Sequence, residues 1–207
     1  MHKMVCFAER MVSRGYRNKV DRDLISDVDS TSCSWLTPAE SHVVMSMANY
    51  HRNSPGEMAE VGVSAGSSAK LICEKKGDVP LHLFDTFDGL PKTCTNDEGF
   101  FEPGMFRAEQ SKVEKYLSIY DNVHFHPGLF PATGDRVANK SFSFVFLDVD
   151  LYESTRNCLE FFGQRMIRGG TILSHDYQFP GVKKAFRDTG FESKTIELAD
   201  SLCMIPF

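Results

Sequence analysis

The stretch from Met58 to Ile72, MAEVGVSAGSSAKLI, constrains this chain more than any other. Met58 to Val63 alternates and ends in β-branched residues, the pattern of a buried strand. Gly62 and Gly66 then let the backbone turn tightly, and Ser67 or Ser68 can cap a helix that carries Leu71 and Ile72. Such a loop leaves backbone N–H groups free and lets the backbone come close to a ligand. The helix N-terminus behind it favours an anionic group such as a carboxylate or phosphate.

Two known motifs overlap these residues. The dinucleotide fingerprint G-x-G-x-x-G is not matched, because Ser64 stands between Gly62 and Gly66. Gly62-Val63-Ser64-Ala65-Gly66 does fit G-x-S-x-G, the nucleophile elbow of α/β-hydrolases, and Asp148 and His175 follow in the chain order that fold requires. Against a hydrolase, an elbow serine belongs after several strands, whereas the residues before Met58 read as helix and loop. A glycine turn that merely joins strand to helix, or a non-catalytic nucleotide-binding module, are the plainer alternatives.

With 207 residues, 42% of them hydrophobic and 25% charged, the chain has the bulk for one domain with a substantial core. A net charge of -5 lacks the basic footprint that phosphate backbones select, so no nucleic-acid partner is expected. The sequence has no run of eighteen apolar residues and no charged-then-apolar leader, so the expectation is a cytoplasmic protein without a membrane partner. Cys6, Cys33, Cys73, Cys94, Cys158 and Cys203 form no C-x-x-C pair and read as buried structural thiols.

Along the chain, Met1 to about Val20 suggests an appended helix and Asp21 to Cys33 a loop rich in Asp and Ser. Thr37-Pro38-Ala39-Glu40 opens a helix running to about Tyr50, with Thr37 as N-cap and Glu40 three positions on. Leu81 to Phe84 is a short strand ending at Asp85, about twenty residues past Gly62, the offset at which an acid accepts bonds from ribose hydroxyls. Gly89 to about Arg107 is too long for an idle connection, and Phe100, Phe101 and Phe106 favour a lid over substrate. Ala108 to Ile119 reads as helix and Val123 to His126 as strand.

Phe142 to Leu147 is a continuous apolar run, as expected of a central parallel strand, and it discharges into Asp148-Val149-Asp150. Two carboxylates two apart in an extended segment would face one side, which is costly unless a cation or proton is shared between them. Ser154 or Thr155 starts a helix with Cys158, Leu159, Phe162 and Met166 inward, closed by Gly169-Gly170. The strand Thr171 to Leu173 ends in Ser174-His175-Asp176, a third acid and an imidazole on the same rim. Gly181 to Asp188 is a helix, and Phe191 to Glu197 with Leu202 to Ile205 forms a closing antiparallel hairpin, for about seven strands.

Four blocks now carry a resemblance. They are Thr37 to Glu40, AEVGVSAGSSA at Ala59 to Ala69, FDTFDGLP at Phe84 to Pro91, and LDVDLYEST at Leu147 to Thr155 followed by GGTILSHDY at Gly169 to Tyr177. On these the chain resembles the class I S-adenosylmethionine-dependent methyltransferases, and more narrowly the macrocin O-methyltransferase family of sugar-modifying enzymes. The resemblance spans about 34–207 and leaves 1–33 as an N-terminal extension that could mediate homo-oligomer contacts.

It implies an α/β, Rossmann-like, mostly parallel sheet with helices on both faces and a reversed last strand. The methionyl end of S-adenosyl-L-methionine would lie on Glu60, Gly62, Val63, Ser64, Gly66, Ser67 and Ser68. The ribose would lie on Asp85 with Thr86 beside it, and the adenine near Phe87 and Gly128. By the same resemblance Asp148, Asp150 and Asp176 hold a divalent metal such as Mg²⁺ and serve a sugar or natural-product hydroxyl, with Asp148 also near the cofactor and Asp150 as general base. This chain has His175-Asp176 where the family commonly has two acids. His175 is therefore either a metal ligand or an alternative base.

Overall fold

The computed structural model describes residues 18–32, 34–97, 99, 101–198 and 201–207. The helix expected over Met1–Val20 therefore lies almost wholly outside the described residues, as do Cys6, Cys33 and Phe100.

Seven strands form one sheet: β1 (Glu57–Val61), β2 (Leu81–Asp85), β3 (Val123–Pro127), β4 (Phe142–Leu147), β5 (Met166–Ser174), β6 (Ile196–Glu197) and β7 (Cys203–Pro206). Their spatial order is β3-β2-β1-β4-β5-β7-β6. The first five run parallel, and β7 lies antiparallel to both β5 and β6. The order reverses between β1 and β4, so the loops leaving those strands open a crevice at their carboxyl ends, the place where open α/β sheets bind ligands.

The apolar run at Phe142–Leu147 is central because both of its faces are covered, and all six residues are buried. Phe144 and Phe146 pack with Met58, Leu81 and Leu83 under α2 (Pro38–His51), α3 (Ser67–Cys73) and α4 (Gln110–Leu117). Val145 and Leu147 pack on the other face with Val61, Phe84 and Ile172 under α5 (Tyr152–Gly163) and α6 (Pro180–Asp188). This alternation is the period-two geometry of a strand expressed within an unbroken hydrophobic run.

Helix α2 starts where the capping signature places it. Thr37 accepts from the Glu40 amide at 3.3 Å, and Glu40 Oε2 accepts from the Thr37 amide at 2.8 Å.

Several local expectations are corrected. Asp21–Cys33 is not loop: helix α1 (Lys19–Ser32) occupies most of it, burying Ile25 and Val28 against Met45 and Leu71. Its Asp and Ser residues face outward, where Asp21 and Asp27 pair with Lys75 and Lys70 at 2.6 and 3.1 Å. Strand β1 ends at Val61 rather than Val63, because Gly62 already has φ +90°. Neither Ser67 nor Ser68 caps α3; Gly66 stands at the cap with φ +84°, Ser68 donates to Glu60, and Ser67 bonds Ser32 Oγ at 2.9 Å.

Helix α5 begins at Tyr152, not Ser154, because a distant residue supplies its cap: Asp97 Oδ1 accepts from the Tyr152 amide at 2.7 Å. It ends at Gly163, and Met166 and Gly169-Gly170 belong to β5. In the expected strand at Phe191–Glu197, Glu192–Lys194 forms a 3-10 turn instead, leaving two residues for β6.

Candidate active site

The carboxyl ends of β1, β2, β4 and β5 converge on one cavity of about 320 Å³. Backbone bonds beyond the strands set the convergence: Gly62 N donates to Phe84 O, Asp148 N to Val61 O, His175 N to Leu147 O and Gly128 N to Asp85 O. Gly62 lies so close to the end of β4 that a Cβ there would stand 1.8 Å from the Asp148 carbonyl oxygen. Glycine at this position is thus what allows the β1 loop and the acidic rim to touch.

Asp85 organises the glycine loop. Its Oδ2 accepts from the amides of Val63 and Ser64 at 2.7 and 2.8 Å, and Oδ1 from Phe87 N at 2.6 Å. The expected elbow serine is engaged elsewhere: Ser64 Oγ donates to the Phe106 carbonyl at 3.1 Å. Both nitrogens of His175 face carboxylates rather than Ser64, so no Ser–His pair exists and the hydrolase reading is set aside.

The acids are brought together as expected, but not by an extended segment. Asp150 has φ +57° and Asp176 φ +64°, both left-handed, at the points where the chain leaves β4 and β5. Non-glycine residues held in that region cost energy and concentrate at functional sites. His175 Nδ1 lies 3.1 Å from Asp148 Oδ1 and 3.0 Å from Asp176 Oδ1, and its Nε2 lies 3.4 Å from Glu40 Oε1.

The electrostatics follow from this crowding. Burial, reinforced by the charges of Asp176 and Asp148, pushes the Asp150 carboxyl up to about 9. Burial also raises Asp176, against the pull of the His175 charge. Burial opposes a charge on His175, yet Asp148 and Asp176 outweigh it and hold the imidazole well above its ordinary value. Glu40 is likewise buried, but bonds from His175, Ser201 and Thr37 prevail and bring it down to about 2.

Asp148, His175 and Asp176 offer ligand atoms within 4.8 Å of one another. Asp176 Oδ2 is buried without a partner among the described residues. Two atoms held about 2.1 Å from one ion at right angles stand about 3 Å apart, the spacing found around Nδ1, so the three side chains fit a divalent cation.

The other expected residues divide. Gly62, Ser64, Asp85, Thr86, Gly128, Asp148, Asp150, His175 and Asp176 line the cavity, whereas Glu60, Val63, Gly66, Ser67, Ser68 and Phe87 do not. Glu60 is fully buried behind the loop, and burial first, then Asp148 and Asp85, raise its carboxyl well above the usual range. Sequence reasoning missed Trp35, Leu129 and Phe130 on the cavity wall and Glu40 behind His175. Trp35 is the only tryptophan in the chain and stands 64% exposed at the mouth, edge-on to Phe106 with ring centroids 5.6 Å apart.

Of the segment 89–107, Gly89, Leu90, Pro91, Phe101, Met105 and Phe106 border the cavity. Leu90 and Met105 pair through backbone at 2.8 Å, and Phe101 packs edge-on against Phe179.

Sheet order, glycine loop and acidic rim define the Rossmann-like fold of the class I methyltransferases. Among solved structures, the O-methyltransferase NovP superposes with a TM-score of 0.70 at 20% identity, covering 84% of this chain and 81% of its own. An O-methyltransferase from Bacillus cereus, solved in complex with SAH, superposes at 0.67 with 10% identity and full coverage of both chains. The family model for macrocin-O-methyltransferase (TylF) matches residues 42–203, and the chain belongs to that family.

A curated relative, the 8-demethyl-8-(2,3-dimethoxy-alpha-L-rhamnosyl)-tetracenomycin-C 4'-O-methyltransferase of Streptomyces olivaceus, is 27% identical over 150 residues, 65% of this chain. The chain spans 58% of that relative's length. No helix among the described residues is long and apolar enough to cross a membrane.

Proposed function

We propose that this protein transfers a methyl group from S-adenosylmethionine to a hydroxyl of a sugar or small glycosylated metabolite, assisted by a divalent metal. The observation that carries this reading is the meeting of Asp148, Asp150, His175 and Asp176 beside the Gly62 loop at the switch point of the sheet. Family membership and the rhamnosyl 4'-O-methyltransferase relative supply the reaction type and acceptor class. In this reading residues 34–207 are the methyltransferase domain and 1–33 its extension.

S-adenosylmethionine would supply an electrophilic methyl group, with its ribose on the face of Asp85 not used by the loop amides and its adenine beside Gly128 and Leu129. A metal held by Asp148, His175 and Asp176 would lower the pKa of an acceptor hydroxyl and offset the repulsion among the acids. Asp150 is the general base. Burial and the charges of Asp176 and Asp148 raise its carboxyl, against the pull of His175, and a cation held beside it would bring it back toward the ionised form that accepts the hydroxyl proton. Trp35, Met105 and Phe106 give the cavity an apolar mouth over the acids.

The test is incubation with methyl-labelled S-adenosylmethionine and rhamnosylated acceptors, read by mass spectrometry, with calorimetry against S-adenosylhomocysteine alongside. Asp150→Asn should lower turnover by about 10²- to 10⁴-fold while leaving S-adenosylhomocysteine binding intact. Failure of the wild-type protein to bind S-adenosylhomocysteine at millimolar concentration would overturn the reading.

A further inference from the structure

The side chain behind His175 has no part in the reaction just described, yet it is among the most firmly held in the molecule. Glu40 is 2% exposed. Its Oε2 accepts from the Thr37 amide at 2.8 Å, and its Oε1 accepts from Ser201 N at 3.1 Å and Ser201 Oγ at 2.6 Å. It therefore bridges the start of α2 and the turn between β6 and β7. The same Oε1 stands 3.4 Å from Nε2 of His175 at the end of β5.

A helix-capping role explains the bond to Thr37 but not the burial of a full charge against an imidazole. We infer that Glu40 is a positioning residue for His175. The inference rests on the metal-assisted reading above and extends it to a residue that touches neither substrate nor metal.

The argument is one of donors and acceptors. An ionised carboxylate only accepts, so the nitrogen facing Glu40 must carry a proton. The same reasoning puts a proton on Nδ1, which faces Asp148 and Asp176 at 3.1 and 3.0 Å in the metal-free site. A metal bound between those acids would displace the Nδ1 proton, while Nε2 keeps its own toward Glu40 at 3.4 Å. Flipping the ring would put Cδ2 and Cε1 where Nδ1 and Nε2 now stand and break both sets of contacts. Because three hydrogen bonds, one from the cap of its own helix and two from Ser201, hold Glu40 in place, it restrains the ring from outside the acidic rim. A metal-binding histidine commonly donates its other N–H to a carboxylate, and loss of that carboxylate costs about 10- to 100-fold in affinity. Glu40 meets that description here, reached from a helix start more than a hundred residues away in sequence.

The experiment compares the wild-type chain, Glu40→Gln and Ser201→Ala. Ser201→Ala removes a bond to Glu40 but leaves its charge facing His175, so it controls for the structural contribution. Two readouts are used: Mn²⁺ affinity by calorimetry, and the ring N–H proton of His175 by NMR in the metal-free protein. The wild type should show a slowly exchanging, downfield proton on Nε2. Glu40→Gln should lose that signal and bind Mn²⁺ about 10- to 100-fold more weakly, whereas Ser201→Ala should keep the signal and stay within about threefold.

An unprotected Nε2 proton in the wild type would overturn the inference, as would an unchanged Mn²⁺ affinity in Glu40→Gln. Should Glu40→Gln fail to fold, the wild-type ring spectrum still decides. Wild-type protein that takes up no Mn²⁺ refutes the metal assistance, and the ring spectrum continues to judge Glu40 independently.

Discussion

Asp85→Asn separates a role in holding the protein's own backbone from a role in holding ligand. The carboxylate accepts three amide protons, two on Oδ2 from Val63 and Ser64 and one on Oδ1 from Phe87. A carboxamide has a single acceptor oxygen. Turned toward the Val63–Ser64 pair, it points its own NH₂ at the Phe87 N–H and leaves that part-buried donor unsatisfied, a cost of about 1 to 3 kcal/mol. The two bonds that remain lose their charge assistance, for about 1 kcal/mol more. The expected destabilisation is about 2 to 4 kcal/mol. With a urea slope of about 2 to 3 kcal/mol/M, the unfolding midpoint should fall by about 1 to 2 M. S-adenosylhomocysteine affinity should fall in the same variant if, as proposed, Asp85 also accepts from the ribose hydroxyls. A midpoint within 0.2 M of wild type, on the order of 0.5 kcal/mol, would refute the reasoning, since it would mean that water serves those amides as well as Asp85 does.

Other substitutions follow from equally local geometry. Gly62→Ala sets a methyl 1.8 Å from the Asp148 carbonyl oxygen at φ +90°, so overpacking and left-handed strain together should cost about 2 to 5 kcal/mol in denaturant unfolding; full stability would show that the β1 loop and β4 end separate freely. Ser64→Ala removes only the bond to the Phe106 carbonyl, about 0.5 to 1.5 kcal/mol, and should leave methyl transfer within about threefold; a loss of a thousandfold would revive the nucleophile reading. Acid stability should depend on the buried chain in which His82 bonds His126 at 2.8 Å and Glu57 at 2.5 Å. Burial, with the charges of His82 and Arg136 adding to it, brings His126 down to about 4, below its ordinary 6.5, so the unfolded chain binds the extra proton and stability rises with pH. This contribution is complete above pH 6.5 and is lost as pH falls from there through about 4. His126→Gln should therefore lose less stability than wild type between pH 7 and pH 4 in thermal unfolding, and identical pH dependence would count against the neutral buried ring.

The sheet and its rim were legible in the chain because their signals are local. Phe142–Leu147 reads as a buried central strand from its own composition, Thr37 and Glu40 announce the start of α2 by their spacing, and the acids at 85, 148, 150 and 176 follow strands visible as apolar runs. Helix α1 was not legible, since two buried side chains among outward Asp and Ser make too weak a period until Met45 and Leu71 stand beside them. The N-terminus of α5 was misplaced because its cap, Asp97, comes from a loop more than fifty residues earlier.

The roles of single side chains within the site were decided by the fold alone. Sequence order puts Ser64, Asp148 and His175 in register with a hydrolase, and only the tertiary structure turns Ser64 toward Phe106 and His175 toward three carboxylates. Glu40 reads as a capping residue from its neighbours, and only the return of β7 and β5 alongside α2 gives it Ser201 and His175 as partners. Periodicity and capping depend on residues within a turn or two of each other, whereas charges and hydrogen-bond partners are assigned across the sheet, by contacts that no short window of sequence contains.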